Sequence, residues 1–173
     1  MNVVFIGRMS FPEGMAGTKR IKHFACYLSE NGISTKIITL FQNTKLIGSS
    51  VERLVDSEVL YRAIGKKIAL NIEQLINIPY IIIDSIITIK KWKMNNCKNI
   101  IILYGIPSID NLLFVLIGKI LNYKIVFDVV EDYDVYYGRK SINTYFKIMS
   151  CKIMQKYIDA YTDGIILISI HLL

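Results

Sequence analysis

Short, wholly apolar runs recur along this chain, each followed by a longer stretch with helical periodicity. That alternation constrains the fold more than any other feature. The run NVVFI (2–6) suits a strand buried on both faces. From Thr18 onward, Ile21, Phe24, Ala25 and Leu28 recur at i, i+3, i+4 and i+7, which predicts one apolar helix face. Asn31-Gly32 is a helix stop, and STKIITL (34–40) reads as a second strand. Residues 41–57 read as a polar loop and EVLYRAI (58–64) as a third strand. A helical region follows over about 66–96, with Pro79 breaking it or opening its second half. NIIILYG (99–105), KIVFDV (124–129) and GIILIS (164–169) read as further strands, separated by helices over 108–122 and 141–163. Strands alternating with helices imply βαβ units, so the expected fold is α/β: a Rossmann-like parallel sheet of about six strands with helices on both faces. Ligands in such sheets bind beyond the carboxyl ends of the strands.

The 173 residues fit a single domain, 1–173, with no repeat and no interdomain linker. A hydrophobic fraction of 53% requires a test for membrane insertion. The most apolar stretch, NIPYIIIDSIITI (77–89), contains Asp84, and a carboxylate at the centre of a spanning helix costs roughly 2.5–3.5 kcal/mol. Glu73 precedes it and Lys90, Lys91 and Lys93 follow it, so a spanning helix is not expected. Residues 1–6 lack the basic flank and length of a signal-peptide core. The net charge of +7 favours anionic partners. Cys26, Cys97 and Cys151 form neither a disulfide framework nor a zinc site, and buried packing is their expected role. The aromatics lie inside apolar runs rather than between basic residues, so nucleic acid is not an expected partner.

The loop FPEGMAGTKRIKHF (11–24) joins the first strand to the first helix. Gly7, Gly14 and Gly17 do not form the dinucleotide fingerprint, and the second strand lacks the acidic residue that would hold a ribose. GMAGTKR has the wrong spacing for a Walker loop, and Gly7-Arg8 lacks the acidic residues of a phosphoacceptor site. What remains is Gly14 and Gly17 at a helix start whose first turn carries Lys19 and Arg20. Close backbone approach, unsatisfied N–H groups and two cations together suit an anion. The same residues also fit a plain strand-to-helix turn capped by Thr18 or Gly17.

Three segments, in order, add a resemblance. Residues 11–40, KIVFDVVED (124–132) and TDGIILIS (162–169) resemble the amino-terminal domain of family 4 retaining glycosyltransferases. Pro12, Gly14, Ala16, Gly17, Arg20, Ile21, Leu28 and Gly32 fall at matching places. The resemblance implies the amino-terminal half of a GT-B fold, with the carboxy-terminal donor-binding domain absent from this chain. It implies transfer of a sugar from a nucleotide-sugar donor to a saccharide or lipid-linked acceptor in cell-envelope polysaccharide synthesis. No metal or other cofactor is implied, the location is cytoplasmic or peripheral at the inner face of the membrane, and the isolated domain should be inactive. Within it, Gly14, Gly17, Thr18 and Arg20 would meet the donor phosphates.

Acceptor-side candidates come from the strand ends: Tyr104, Gly105, Ser108, Asp128 and Glu131. Asp128 leads because it ends its strand. Ser108 serves equally as a cap for the next helix, and Asp132, Asp134, Arg139 and Lys140 serve equally as solvated charges. His23 reads as a surface or packing residue, His171 has no context, and no catalytic residue is assigned. The stripe Lys90, Lys91, Trp92, Lys93 and the helix with Tyr145, Phe146, Lys147, Lys152 and Lys156 read as solvated faces, with an anionic membrane as the alternative. A non-catalytic Rossmann-like binding module, or the partner subunit of a split transferase, is the competing class. A nucleotide-dependent oxidoreductase comes third.

Overall fold

The computed structural model describes residues 1–42, 52–54, 57–66, 71–109, 111–130 and 142–167; at 41–42, 65–66, 71–78 and 142–143 it describes the backbone alone. The fold is mixed α/β and broadly Rossmann-like. It divides into two compact units, Met1–Ile100 and Ile101–Leu173.

The first unit contains β1 (Asn2–Gly7), α1 (Ala16–Glu30), β2 (Ser34–Gln42), β3 (Glu52–Arg53), β4 (Leu60–Lys66) and α2 (Asn71–Trp92). Its strands lie in the order β3-β4-β2-β1. β1 pairs parallel with β2, and β2 with β4, in registers that include Phe5 with Ile37 and Ile37 with Tyr61. Every residue of β1 is buried, as its apolar run requires. Side chains alternate across a strand, so Asn2, Lys36, Ile38 and Arg62 share one face and Phe5, Ile37 and Tyr61 the other. Contacts identify the helix on each face. Phe24 of α1 meets Phe5 edge-on at 6.2 Å, whereas Arg62 and Lys36 reach α2.

Four expectations need correction here. β3 lies within the stretch read as loop and pairs antiparallel with β4, making seven strands among the described residues and a sheet that is not wholly parallel. A two-residue strand has no periodicity to read. α1 starts at Ala16 rather than Thr18, because Gly17 is accommodated inside the first turn. Pro79 neither breaks nor starts α2 but lies inside it. It sits on the exposed side, where water can serve the carbonyl that a proline leaves unbonded. Phe24, placed on the apolar face of α1, is nevertheless partly exposed.

The second unit takes in most of β5 (Asn99–Gly105), then α3 (Asn111–Ile120), β6 (Lys124–Val129), α4 (Ile142–Tyr161) and β7 (Gly164–Leu167). Its strands run in the order β5-β6-β7, with β6 and β7 parallel. Cys151, Met154 and Ile158 form the buried stripe of α4 at i, i+3 and i+7. Asp163 starts β7 against β6: it accepts from the Ile125 N–H at 2.9 Å and from Lys124 at 2.7 Å. Those two bonds, Lys124 first, hold its carboxyl below the usual aspartate range. The Asp of the TDG segment therefore has a strand-anchoring role of its own.

Of the cysteines only Cys151 is buried, while Cys26 and Cys97 are half-exposed, so the expected packing role holds for one of three. Among the described residues, no helix is long and apolar enough to cross a membrane.

Candidate functional site

The loop between β1 and α1 is braced by its own residues. Phe11 is buried and meets the ring of Tyr61 edge-on at 5.2 Å, and Tyr61 donates its phenol proton to Glu52. Burial and that hydrogen bond push the Tyr61 pKa up to about 12. The Thr18 hydroxyl donates to the Ser10 carbonyl at 2.5 Å, closing the loop across its base. A Cβ on Gly14 would lie 2.6 Å from that carbonyl and 2.9 Å from Thr18 Cβ. Glycine at 14 is thus explained by close packing alone.

The helix start that the loop presents is open. The N-cap is Met15, in an extended conformation, with no side-chain capping bond and no acidic residue in the first turn. The first intrahelical bond runs from Lys19 N–H to the Met15 carbonyl at 3.2 Å. The N–H groups before it point out of the helix with its positive dipole end. Gly14 is exposed, Gly17 half-exposed, Lys19 exposed and Thr18 buried. Arg20 sits with its guanidinium carbon 6.0 Å from the Phe24 ring, one turn further along α1. To reach an anion at the loop it must leave that ring. At the root of the loop, Thr39 is level with Gly7 in the β1–β2 register, on the α1 face. Its buried hydroxyl has no partner among the described residues. The outward N–H groups and the exposed Lys19 suit an anion.

In the second unit, Tyr104 and Gly105 end β5, and Gly105 turns the chain at φ +124°, a conformation that favours glycine. The Ser108 N–H and hydroxyl both donate to Asn111 Oδ1, at 2.9 and 3.1 Å. The Asn111 side chain thus reaches back to Ser108, while the Asn111 N–H donates to the Ser108 carbonyl at 2.9 Å. The Ile109 N–H donates to Ser150 Oγ of α4 at 2.8 Å, fixing this loop. Asp128 is 2% exposed and lies one residue inside β6, which runs on to Val129. It does not end its strand, because Val129 continues the pairing with Leu167 of β7. Glu131, Asp132, Asp134, Arg139, Lys140 and His171 lie outside the described residues. The loop group of Gly14, Gly17 and Thr18 belongs to the first unit, and Tyr104, Gly105, Ser108 and Asp128 to the second.

Sequence reading missed two buried polar clusters, both on the α2 face of the first unit. At the amino ends of the strands, Lys36 Nζ donates to Asn2 Oδ1 at 2.7 Å, Ser34 Oγ at 3.1 Å and the Trp92 carbonyl at 3.3 Å. Asn2 Nδ2 donates to the same Trp92 carbonyl at 3.0 Å and to Asn99 Oδ1 at 2.7 Å. A cation and an amide thus satisfy the last carbonyl of α2, while burial holds the Lys36 pKa below the ordinary lysine value. The second cluster pairs Arg62 with Asp84 at 2.7 Å, their side chains only 15% and 11% exposed. Burial raises the Asp84 pKa against the opposing pull of Arg62. The visible signal for both was a polar residue interrupting an apolar run.

A cavity of about 620 Å³ lies elsewhere in the first unit, lined by Cys26, Ser29, Glu30, Arg53, Leu54, Ser57 and Glu58. It borders the last turns of α1, the opposite end from the glycine loop. His23 is exposed on α1. Among the described residues, no three His, Cys, Asp or Glu side chains cluster as metal ligands would. The chain matches no known family model, and no curated protein matches it in sequence.

Proposed function

We propose that this chain is the acceptor-side domain of a GT-B glycosyltransferase that resembles family 4, using a nucleotide-sugar donor and a saccharide or lipid-linked acceptor. The observation that carries the reading is the uncapped start of α1, delivered by a self-braced glycine loop directly after β1. An open helix N-terminus with Lys19 in its first turn, Arg20 just beyond and no acidic residue in that turn suits a diphosphate. Gly14, Gly17 and Thr18 hold the loop and helix start in shape, and Arg20 swings from Phe24 to join them. The acceptor is assigned to the carboxyl end of β5, where Tyr104, Gly105 and Ser108 stand. The donor nucleotide is held by a carboxy-terminal domain, and transfer happens on closure.

A second reading, a binding module or partner subunit without catalysis, is favoured by one observation: Asp128, the leading carboxylate, is buried within its strand. Incubation of purified residues 1–173 with nucleotide-sugar donors and a lipid-linked acceptor tests the division of labour. The expected result is no transfer by this chain alone; robust transfer would contradict it.

A further inference from the structure

From Pro79 onward, helix α2 is buried on one side and apolar on the other. Ile81, Ser85, Thr88, Ile89 and Trp92 turn inward. Tyr80, Ile83, Ile86 and Ile87 remain 47%, 57%, 38% and 55% exposed. Their spacing places them along one face of the helix. Lys90 and Lys91 continue that face at its carboxyl end, both exposed. A covering helix of an α/β unit ordinarily shows a polar face to water, so a band of three isoleucines and a tyrosine calls for an occupant. Trp92, which a basic-stripe reading puts outward, is buried and takes no part.

Charge and residue type decide what that occupant is. From Pro79 to Met94 the only carboxylate is Asp84, which is buried and paired with Arg62. The exposed face is therefore apolar and cationic, within a chain of net charge +7 that opposes association with its own copies. Protein interfaces are depleted of lysine and enriched in arginine, whereas this band of three isoleucines and one tyrosine ends in two lysines and carries no arginine. We infer that α2 lies on an anionic lipid surface, its isoleucines among the acyl chains and Lys90 and Lys91 at the headgroups. The inference does not depend on the transferase reading.

The test is flotation of the full chain with vesicles of phosphatidylcholine alone, or with about one-third phosphatidylglycerol. Binding is expected only to the anionic vesicles, and to fall with added salt. K90Q/K91Q should lower partitioning about thirtyfold, and I83N/I87N at least about tenfold. All four side chains are exposed, so both variants should keep the wild-type thermal midpoint, and the lysine pair still decides the matter should the isoleucine pair fail to fold. Equal binding to neutral vesicles, no binding to either, or an unaffected lysine variant would overturn the inference. So would a lipid-free dimer that I83N/I87N abolishes, since a second copy would then cover the face.

Discussion

Replacing Arg62 by methionine removes the only counter-charge that a buried carboxylate has among the described residues. Asp84 accepts from Arg62 at 2.7 Å with 11% of its side chain exposed. Its second oxygen has no partner among the described residues. Breaking one side of such a pair typically costs about 3–5 kcal/mol, because the remaining charge stays desolvated. The cost must depend on pH. Burial already raises the Asp84 pKa and Arg62 opposes that rise, so Arg62→Met raises it further. An unfolded aspartate ionises near about 3.9. Below that value both states hold the proton and Asp84 costs nothing. As pH rises through the raised folded pKa, the unfolded state releases its proton first and stability falls. Urea unfolding followed by circular dichroism should show a deficit of about 3 kcal/mol at pH 8 and a smaller one at pH 4.5. Arg62→Met with Asp84→Leu should recover to within about 1 kcal/mol of wild type, since an apolar pair replaces both charges. A deficit below about 1 kcal/mol at pH 8, or one that pH leaves unchanged, would refute the reasoning.

Three further outcomes follow from the same geometry. Lys36→Met leaves Asn2 Oδ1 buried without its 2.7 Å donor and should cost about 1–3 kcal/mol in thermal or urea unfolding. Tyr61, with its pKa pushed up to about 12, should keep its proton above the ordinary tyrosine value, so Tyr61→Phe removes a phenolate step near that pH from an ultraviolet titration. The sign is that of a raised pKa, and folding stability should fall as pH climbs from the ordinary tyrosine value through about 12. Gly14→Ala drives a methyl group to within 2.6 Å of the Ser10 carbonyl; it should lower the unfolding free energy by about 1–3 kcal/mol, even with no ligand present.

The strands β5 and β6 were legible to the residue, 99–105 and 124–129, because a strand largely buried on both faces writes most of its length in apolar side chains. The start of α1 was not, because glycine and methionine are poor markers of a helix start, and the loop's own packing holds Gly14 in place. The polar clusters were hidden by distance along the chain. Lys36 and Trp92 are 56 residues apart, and Arg62 and Asp84 are 22. Asp84 could be read as an obstacle to membrane insertion, but no local pattern identifies its partner. For the candidate site, the loop's position after β1 was legible and its openness was not. The missing cap at Met15 and the Arg20–Phe24 contact are facts of conformation.

The central claim is that the glycine loop and the start of α1 form one half of a diphosphate site. Backbone amide shifts of the isotope-labelled chain, titrated with uridine diphosphate, test it most directly. At millimolar ligand, on the order of 4 kcal/mol of binding, the account predicts shifts gathered at residues 14–20, weakened by Lys19→Gln with Arg20→Gln. Shifts absent at that concentration, or gathered instead around Cys26 and Glu58, would contradict it.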